Sequence, residues 1–222
     1  MISIAIDGPA GAGKSTISRK ASEQLGFIYV DTGALYRSIA YKLNDAGITP
    51  EQVDEIEKVL DKTLINIKFI DGEQHVIVDD IDVSNKIRTG EISMLASAFS
   101  AIPTVRAYLL GLQRRMAKEN NVIMDGRDIG TVVLPDATLK IFLTADPEER
   151  ADRRYKEMIE KGMEANYEEV LADIKQRDYN DSHRAVAPLK PAEDSIVVNT
   201  TGNTLEQSVE VLINVIKENI KM

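Results

Sequence analysis

Residues 2 to 18 read ISIAIDGPAGAGKSTIS, and this stretch decides the fold class of the chain. The spacing Gly8-x-x-x-x-Gly13-Lys14-Ser15 matches a P-loop, in which the backbone N–H groups of a glycine-rich turn surround a phosphate. The preceding run ISIAI predicts a buried strand, and the following STISRKASEQLG predicts an amphipathic helix that ends at Gly26. These flanks favour a true phosphate loop over a glycine-rich surface turn.

The loop residues imply an ATP site with a magnesium ion. Lys14 is expected to reach the β- and γ-phosphates, and the Ser15 hydroxyl to ligate Mg²⁺. Asp125 ends an apolar run and is a second candidate for the metal, through water, although a capping role for its carboxylate is equally reasonable. The residues predicted to bind ATP are Gly8, Pro9, Ala10, Gly11, Ala12, Gly13, Lys14, Ser15 and Thr16.

Bulk composition narrows the classes of partner. The 222 residues suit one domain with insertions, which we favour, or at most two small domains. The absence of cysteine excludes disulfides, thiolate metal sites and a cysteine nucleophile. The net charge of -9 argues against a nucleic-acid polymer as partner but permits a small phosphate ligand held by local arginines. No run approaches the ~20 apolar residues of a membrane span, and residues 1 to 6 lack the features of a signal peptide. We therefore expect a cytoplasmic protein without a membrane partner.

Apolar runs and periodic stretches alternate along the chain, which predicts an α/β layered fold. The predicted strands, mostly continuous apolar runs typical of a parallel sheet, are 2–6, 27–30, 121–125, 139–144 and 195–199. The predicted helical stretches are 14–25, 34–45, 51–62, 89–119, 147–178 and 204–220. Asp146-Pro147-Glu148-Glu149 predicts a helix start with an N-cap, a first-turn proline and a capping-box glutamate. Gly162 is expected to interrupt this helix, and Pro188 with Pro191 to end the part that follows. Residues 65–84 alternate with a period near two, and Asp71-Gly72 predicts a hairpin turn within a small antiparallel insert.

The rest of the chain favours a kinase among P-loop proteins. The nearest match to the guanine-reading Asn-Lys-x-Asp of GTPases, residues 85–88, ends in Arg88. A kinase needs a second anion site facing the γ-phosphate and must exclude water. Candidate cations for that site are Arg37, Arg88, Arg106, Arg127, Arg153, Arg154, Arg177 and Arg184.

Several of these arginines also have an ordinary structural interpretation. Arg177, Asp181 and Arg184 stand at i, i+4 and i+7 and share one face if this stretch is helical, which suits either a ligand or an exposed ion pair. Arg127 and Asp128 follow a predicted strand at the sheet edge where α/β proteins bind ligands, although a solvated loop pair is the alternative. Arg153 and Arg154 could belong to a lid or to a charged helix face that includes Glu149 and Arg150. His75 and His183 are interpreted as surface residues.

Taken in order, six motifs resemble those of bacterial cytidylate kinases, nucleoside monophosphate kinases that phosphorylate CMP and dCMP. They are GPAGAGKST, VDTGALYR, IRTGE, DGRDIGTVVLPDA, KIFLTA and QRDYNDSHRAVAPLKPA, and they extend over essentially the whole chain. The resemblance implies a monomer with a P-loop NTPase fold: a five-stranded parallel sheet flanked by helices, a small antiparallel β insert and a lid. It implies one domain over 1–222, with a core of 1–32, 100–147 and 186–222, a nucleoside monophosphate (NMP)-binding region at about 33–99, and a lid with its following helix at about 148–185.

The resemblance also assigns the acceptor site residue by residue. It places Ser97, Arg106 and Asp128 at the cytosine ring and Arg177 and Asp181 at the sugar. It places the monophosphate on Thr32, Arg37, Arg127 and Arg184, with Tyr36 lining the same site. Arg153 and Arg154 belong to the lid near the ATP phosphates, and Asp31 orients arginines. The catalytic residues it implies are Lys14, Arg127, Arg153, Arg154 and Arg184. Position 32 departs from the expected serine, but Thr32 keeps the hydroxyl.

These residue types suit phosphoryl transfer to CMP. The acceptor phosphate has a second pKa of ~6, so it is ionised at neutral pH and needs no general base. A carboxylate, a guanidinium and a hydroxyl complement the N4 amine and the N3 and O2 acceptors of cytosine, whereas uracil reverses part of that pattern. We therefore expect CMP to be preferred over UMP. A UMP, AMP or small-metabolite kinase, a nonenzymatic nucleotide sensor and, less favoured, a water-attacking ATPase are the alternatives.

Overall fold

The computed structural model describes residues 1–70 and 73–220, so the predicted turn at Asp71-Gly72 lies outside the described residues. The chain forms two compact units. The first consists of Met1–Tyr29 and Asn120–Met222, and the second is the continuous segment Val30–Glu119.

The elements follow one another in an alternating α/β order. The strands are β1 Ser3–Asp7, β2 Ile28–Asp31, β3 Ile65–Ile70, β4 Glu73–Val78, β5 Ile81–Asp82, β6 Val122–Gly126, β7 Leu139–Thr144 and β8 Ile196–Asn199. The α-helices are α1 Lys14–Leu25, α2 Thr32–Asp45, α3 Val53–Leu60, α4 Gly90–Phe99, α5 Pro103–Glu119, α6 Pro147–Glu160, α7 Tyr167–His183 and α8 Leu205–Asn219. A short π-helical turn occupies Ile129–Val133.

The main sheet is a five-stranded parallel sheet with the order β2-β6-β1-β7-β8, as expected. Strand β1 occupies its centre and pairs in parallel with β6 and β7, with Ile4 opposite both Ile123 and Leu139. The core of the first unit is formed by buried strand residues packed with Ile17 of α1 and Leu212 of α8. All five strands predicted from apolar runs are confirmed. Because β1 is central, its carboxyl end delivers residues 8–13 to the middle of the sheet edge.

The helix ends agree with the sequence signals in some places and differ in others. Helix α1 ends at Gly26, whose φ of 70° supplies the left-handed C-cap that was predicted. The predicted helix 89–119 is two helices, because Pro103 cannot continue a hydrogen-bonded helix and begins a new one. The interruption predicted at Gly162 is confirmed: the stretch 147–178 forms two helices, separated by a segment that includes Gly162 at φ 72°, and the second extends to His183.

The capping box predicted at the start of α6 is wrong. Asp146 is the N-cap residue and Pro147 opens the helix, but among the described residues the Asp146 side chain accepts no capping hydrogen bond. The Glu149 carboxylate is engaged elsewhere, because it accepts a hydrogen bond from the Gly202 backbone N–H at 2.6 Å and pairs with Arg153. A contact 53 residues away along the chain therefore replaces the local one.

The second unit contains helices α2 to α5 and a separate three-stranded antiparallel sheet. Strand β3 pairs with β4, with Ile67 opposite Val76, and β4 pairs with β5. The predicted antiparallel insert over 65–84 is therefore confirmed. Leu35 and Leu43 of α2, Phe99 of α4 and Leu109 of α5 lie fully buried in the core of this unit.

Within the described residues, no single helix is long and apolar enough to cross a membrane. Helices α4 and α5 meet that test only when they are taken together, and they are bent by 100° relative to each other.

The start of α8 provides a test of local helix stability. The Thr204 hydroxyl accepts a hydrogen bond from the Gln207 N–H, and the Gln207 side chain accepts one from the Thr204 N–H, which completes a capping box. We expect Thr204→Ala to lower the free energy of unfolding by about 1 kcal/mol, measured by urea denaturation. Glu210→Ala, on the exposed part of the same helix, is the control and should change it by less than about 0.5 kcal/mol. Equal effects of the two changes would contradict the assigned cap.

Candidate active site

The loop after β1 has the geometry of a phosphate cradle. Gly8 lies so close to β7 that a Cβ built on it would be 1.9 Å from the carbonyl oxygen of Leu143, so a side chain at this position cannot be accommodated. Gly11 and Gly13 adopt φ values of 74° and 81°, which L-residues with side chains rarely adopt. The loop leads directly into the N-terminus of α1, where unpaired N–H groups and the helix dipole favour an anion. All nine residues predicted for ATP lie in this loop and the first turn of α1.

Lys14 is the cation of this loop. Its side chain is buried, with 5% of the residue exposed, and its Nζ donates a hydrogen bond to the carbonyl oxygen of Pro9 at 2.7 Å. Burial, followed by the positive charge of Arg127, lowers the pKa of Lys14 to about 7, against the opposing influence of Asp125 and Asp7. The ammonium group is thus desolvated before any ligand arrives, which strengthens its interaction with an added phosphate.

Ser15 and Asp125 meet at the end of β6. The Ser15 hydroxyl donates to Asp125 Oδ2 at 2.9 Å, and the Tyr29 hydroxyl donates to Asp125 Oδ1 at 2.9 Å. The described residues contain no group of three or more histidine, cysteine or acidic side chains arranged to hold a metal. Mg²⁺ needs no such group, because it is usually held by one or two protein oxygens, waters and substrate phosphates. A hydroxyl beside a carboxylate therefore fits Mg²⁺.

Asp7, the last residue of β1, is bound to the segment that follows β6. Its carboxylate, 4% exposed, accepts hydrogen bonds from the backbone N–H groups of Ile129 and Gly130 at 2.7 and 2.8 Å. Burial raises the pKa of Asp7 to about 6, although the two N–H groups act in the opposite sense. Sequence reasoning missed this residue because its partners lie more than 120 positions away.

Part of the predicted acceptor site comes together within the first unit. Arg127 Nε donates to Asp181 Oδ2 of α7 at 2.8 Å, and Arg184 Nη2 lies 3.6 Å from Asp128 Oδ1. Arg184 also donates through Nε to the carbonyl oxygen of Ala187 at 2.6 Å. Burial, and then the charge of Arg127, lowers the pKa of Arg177, which belongs to the same electrostatic group. Arginines and acids that sequence spacing left as possible surface pairs therefore form one partly buried cluster.

The remaining predicted acceptor residues belong to the second unit. Asp31 caps α2 by accepting from the Ala34 N–H at 2.9 Å and pairs with Arg37 at 3.0 Å. The guanidinium of Arg106 lies 5.8 Å from the centre of the Tyr36 ring. Thr32 is buried in the first turn of α2, whereas Ser97 is exposed on α4.

The two predicted lid arginines pair with acids of their own helix. Arg153 pairs with Glu149 and reaches the carbonyl oxygen of Thr200 at 3.4 Å, and Arg154 contacts Glu157 at 3.1 Å on the exposed side of α6. These pairs match the charged-helix alternative, and a lid role would require Arg153 and Arg154 to exchange them for phosphate.

Arg150 is a second residue that sequence reasoning did not assign to the site. Its guanidinium is buried and donates to the carbonyl oxygens of Ala10 in the loop and Ala145 after β7, both at 2.8 Å. It also forms an ion pair with Asp178 of α7 at 2.5 Å. One side chain therefore joins the phosphate loop, the end of β7 and α7. The only sequence signal was an arginine in the first turn of a predicted helix, which is a common surface feature.

A central parallel strand, a glycine loop, a buried lysine and a helix N-terminus define the P-loop class of nucleotide-binding proteins. A solved structure of an uncharacterized protein from Eubacterium ventriosum shares the fold, with a TM-score of 0.54 at 13% identity over 98% of this chain and 99% of that one.

Sequence comparisons identify the family within this class. The cytidylate kinase family model matches residues 4–218. A cytidylate kinase of Caldicellulosiruptor saccharolyticus is 54% identical over 206 residues, which cover 93% of this chain and 91% of the relative. A cytidylate kinase of Streptococcus thermophilus is 50% identical over 210 residues, which cover 94% and 93%. The chain belongs to the cytidylate kinase family, and the resemblance drawn from its motifs is confirmed.

The close approach at Gly8 generates a direct test. We expect Gly8→Ala to abolish ATP binding or folding, because its Cβ would collide with a backbone oxygen that cannot move away without disrupting β7. ATP binding is measured by titration of the purified variant, and folding by circular dichroism. Gly26→Ala is the matched control, since its φ of 70°, like the 152° of Gly8, is one that L side chains rarely adopt, but no described heavy atom lies within 4 Å of the added Cβ. It should lower stability by about 1 kcal/mol and leave ATP binding intact. An active Gly8→Ala variant would contradict the packing described.

The buried carboxyl of Asp7 predicts a pH dependence of stability. Its pKa is about 6 in the folded protein against an ordinary value of 3.8, so the folded state binds the proton more tightly than the unfolded state. The resulting stabilisation is complete below pH 3.8 and is lost as the pH rises through 6. Between pH 4 and 7 the protein should lose about 2 kcal/mol of stability relative to Asp7→Asn, measured by urea denaturation. A difference that is constant or that changes in the opposite direction would contradict this assignment.

Proposed function

We propose that this protein transfers the γ-phosphate of ATP to CMP or dCMP and forms CDP or dCDP through the residues described above. Its membership of the cytidylate kinase family supports the reaction class. The observation that carries the proposal is the cluster in which Arg127 pairs with Asp181 and Arg184 lies beside Asp128. Arg127 lowers the pKa of Lys14, so the cluster and the phosphate loop act on each other electrostatically.

On the donor side, residues 8–16 hold the ATP phosphates through backbone N–H groups, and Lys14 stabilises the β- and γ-phosphates. Ser15 and Asp125 hold Mg²⁺, Asp125 through water. The ion supplies charge neutralisation on the phosphate oxygens when it is bound. Tyr29 fixes the orientation of the Asp125 carboxylate by donating to its other oxygen.

On the acceptor side, the work is electrostatic. The CMP phosphate is already ionised, so the protein must bring two polyanions together, align them and neutralise the oxygens of the transferred group. Thr32, Arg37, Arg127 and Arg184 bind the monophosphate, and Arg177 and Asp181 bind the sugar. Arg153 and Arg154 leave their glutamate partners and reach the ATP phosphates when the lid, within about 148–185, closes.

The base is recognised by Asp128, Arg106 and Ser97, with Tyr36 lining the site. The Asp128 carboxylate accepts from the N4 amine of cytosine, and in uracil the same position carries an oxygen that it would repel. A site whose buried polar group loses its partner can reject the analogue by up to ~10⁴-fold. Asp128 is 4% exposed, so water does not readily replace a lost partner.

The protein acts in this proposal as a single-domain monomer in the cytoplasm, with ATP and CMP or dCMP as its ligands and without a membrane or nucleic-acid partner. The net charge of -9 supports the last point, because nucleic-acid polymers are held largely by basic side chains.

An acceptor panel tests the proposal. ADP release is measured with Mg-ATP and CMP, dCMP, UMP or AMP, beside a control without acceptor. We expect turnover that depends on CMP or dCMP and exceeds that with UMP or AMP at least tenfold. Asp128→Ala should lower kcat/KM for CMP by at least 100-fold, because it removes a charge-assisted contact to the base. Asp136→Ala, an exposed acid of the same segment, is the matched control and should retain activity.

The other outcomes separate the alternatives. Faster turnover with UMP or AMP would keep the kinase and overturn the base-recognition assignment. ATP binding without turnover on any acceptor would support a nucleotide sensor, and acceptor-independent ADP release would support an ATPase.

A further inference from the structure

The π-helical turn Ile129–Val133 is capped from a distant strand. Its N-cap residue is Asp128, but the Asp128 carboxylate makes no capping hydrogen bond among the described residues and lies instead beside Arg184. The N–H groups of Ile129 and Gly130, which open the turn, donate to the two carboxylate oxygens of Asp7. Asp7 thus performs the capping that a residue at position 128 would ordinarily perform.

This arrangement fixes the backbone on the carboxyl side of Asp128 directly. Ile129 is the next residue in the chain, and its N–H belongs to the peptide group that contains the carbonyl carbon of Asp128. Two hydrogen bonds at 2.7 and 2.8 Å from one carboxylate fix the peptide planes of residues 129 and 130. The carboxylate is itself held, because Asp7 ends the central strand β1, whose neighbours on both sides are paired.

The stability of the fold alone does not explain why position 7 carries a carboxylate. Burial raises the pKa of Asp7 to about 6, so at neutral pH the fold carries an ionised carboxylate that burial disfavours. Two neighbouring charges act on the Asp7 carboxyl: Lys14 favours its ionised form, and Asp128 opposes it. Lys140 is adjacent to Gly130 but pairs with Asp194 at 2.9 Å.

We propose that Asp7 is a positioning residue for acceptor discrimination, which holds the Asp128 carboxylate in the orientation that accepts cytosine and rejects uracil. This inference rests on the proposed role of Asp128 in reading the base. Rejection of uracil requires a carboxylate that cannot turn away from the O4 atom, so it depends on the rigidity of the segment. A segment released from Asp7 still contains Asp128 but no longer fixes it, and uracil is then admitted more readily. Asp7 itself does not touch the nucleotide.

The readout is therefore the ratio of kcat/KM for CMP to kcat/KM for UMP, and not the overall rate. We expect this ratio to fall at least fivefold in Asp7→Asn, because the asparagine NH₂ faces one of two backbone N–H donors and loses that contact. In Asp7→Ala, which loses both acceptors, it should fall further. Overall activity is a poor readout, since Asp7 adjoins the phosphate loop and acts on Lys14.

Gly130→Ala perturbs the same contact from the other side. A Cβ at this position would lie 3.1 Å from Cδ and 3.2 Å from Cγ of Lys140, which is buried and paired with Asp194, and 3.4 Å from Asp7 Oδ2, so either the Lys140 side chain or the turn must give way by a few tenths of an ångström. We expect the ratio of kcat/KM for CMP to that for UMP to fall in this variant too, but by only about twofold. This variant decides the question if neither Asp7 variant folds.

Two controls separate this inference from general destabilisation and from failure of the proposed function. Thr204→Ala weakens a helix of the same unit and should leave the CMP to UMP ratio within twofold of the parent value. Asp128→Ala must lower the ratio. If it does not, the proposed role of Asp128 in reading the base is overturned, and the inference about Asp7, which rests on that role, is overturned with it. The proposal is overturned if Asp128→Ala lowers the ratio but the folded Asp7 variants reduce CMP and UMP turnover equally. If no Asp7 variant folds, the same result in Gly130→Ala overturns it. Asp7 is then a structural residue only.

Discussion

The phosphate site depends on a backbone-to-backbone approach between the end of β1 and the end of β7. Gly8 lies against the carbonyl of Leu143 with no room for a β-carbon, so the loop can lie this close to the paired strands β1 and β7 only because residue 8 has no side chain. Arg150 adds a second restraint by binding a carbonyl of the same loop. Backbone N–H groups held in this way are preorganised, and they lose little conformational freedom when an anion binds.

A second constraint is the burial of charge around this loop. Asp7, Lys14 and Arg150 are each 5% exposed or less, although the chain as a whole is acidic and well supplied with surface charge. Each is satisfied differently: Asp7 by two backbone donors, Lys14 by one carbonyl, and Arg150 by two carbonyls and a carboxylate. Lys14 has the fewest partners and the largest remaining capacity for an anion. Asp7 and Arg150 are fixed by several contacts and shape the site, whereas Lys14 keeps hydrogen-bond donors for an anion.

The sequence predicts the parts of this fold whose signals are local. The five parallel strands follow from continuous apolar runs, and the end of α1 from Gly26. The split of the predicted helix at Pro103 was missed because the apolar periodicity continues across it. Asp7 and Arg150 could not be recognised, because their partners are 122 and 140 residues distant and no local pattern marks such a contact. The acceptor residues were assigned by family resemblance, since spacing left Arg177, Asp181 and Arg184 equally consistent with a surface ion pair, and the position of Arg127 and Asp128 after a strand only favoured a ligand site.

The division of the chain into a discontinuous first unit and a continuous second unit also affects how the protein is made. Strand β1 emerges from the ribosome long before its two partners, because β6 and β7 begin more than 115 residues later. At ~5–20 residues per second, the phosphate loop waits roughly 6 to 25 seconds for the strands that hold it. The segment Val30–Glu119 is complete shortly before β6 and β7 are synthesised. The phosphate loop is therefore among the last parts of this fold to acquire its structure, and the time taken to translate residues 8–144 sets how long the apolar strand β1 remains without both of its partners.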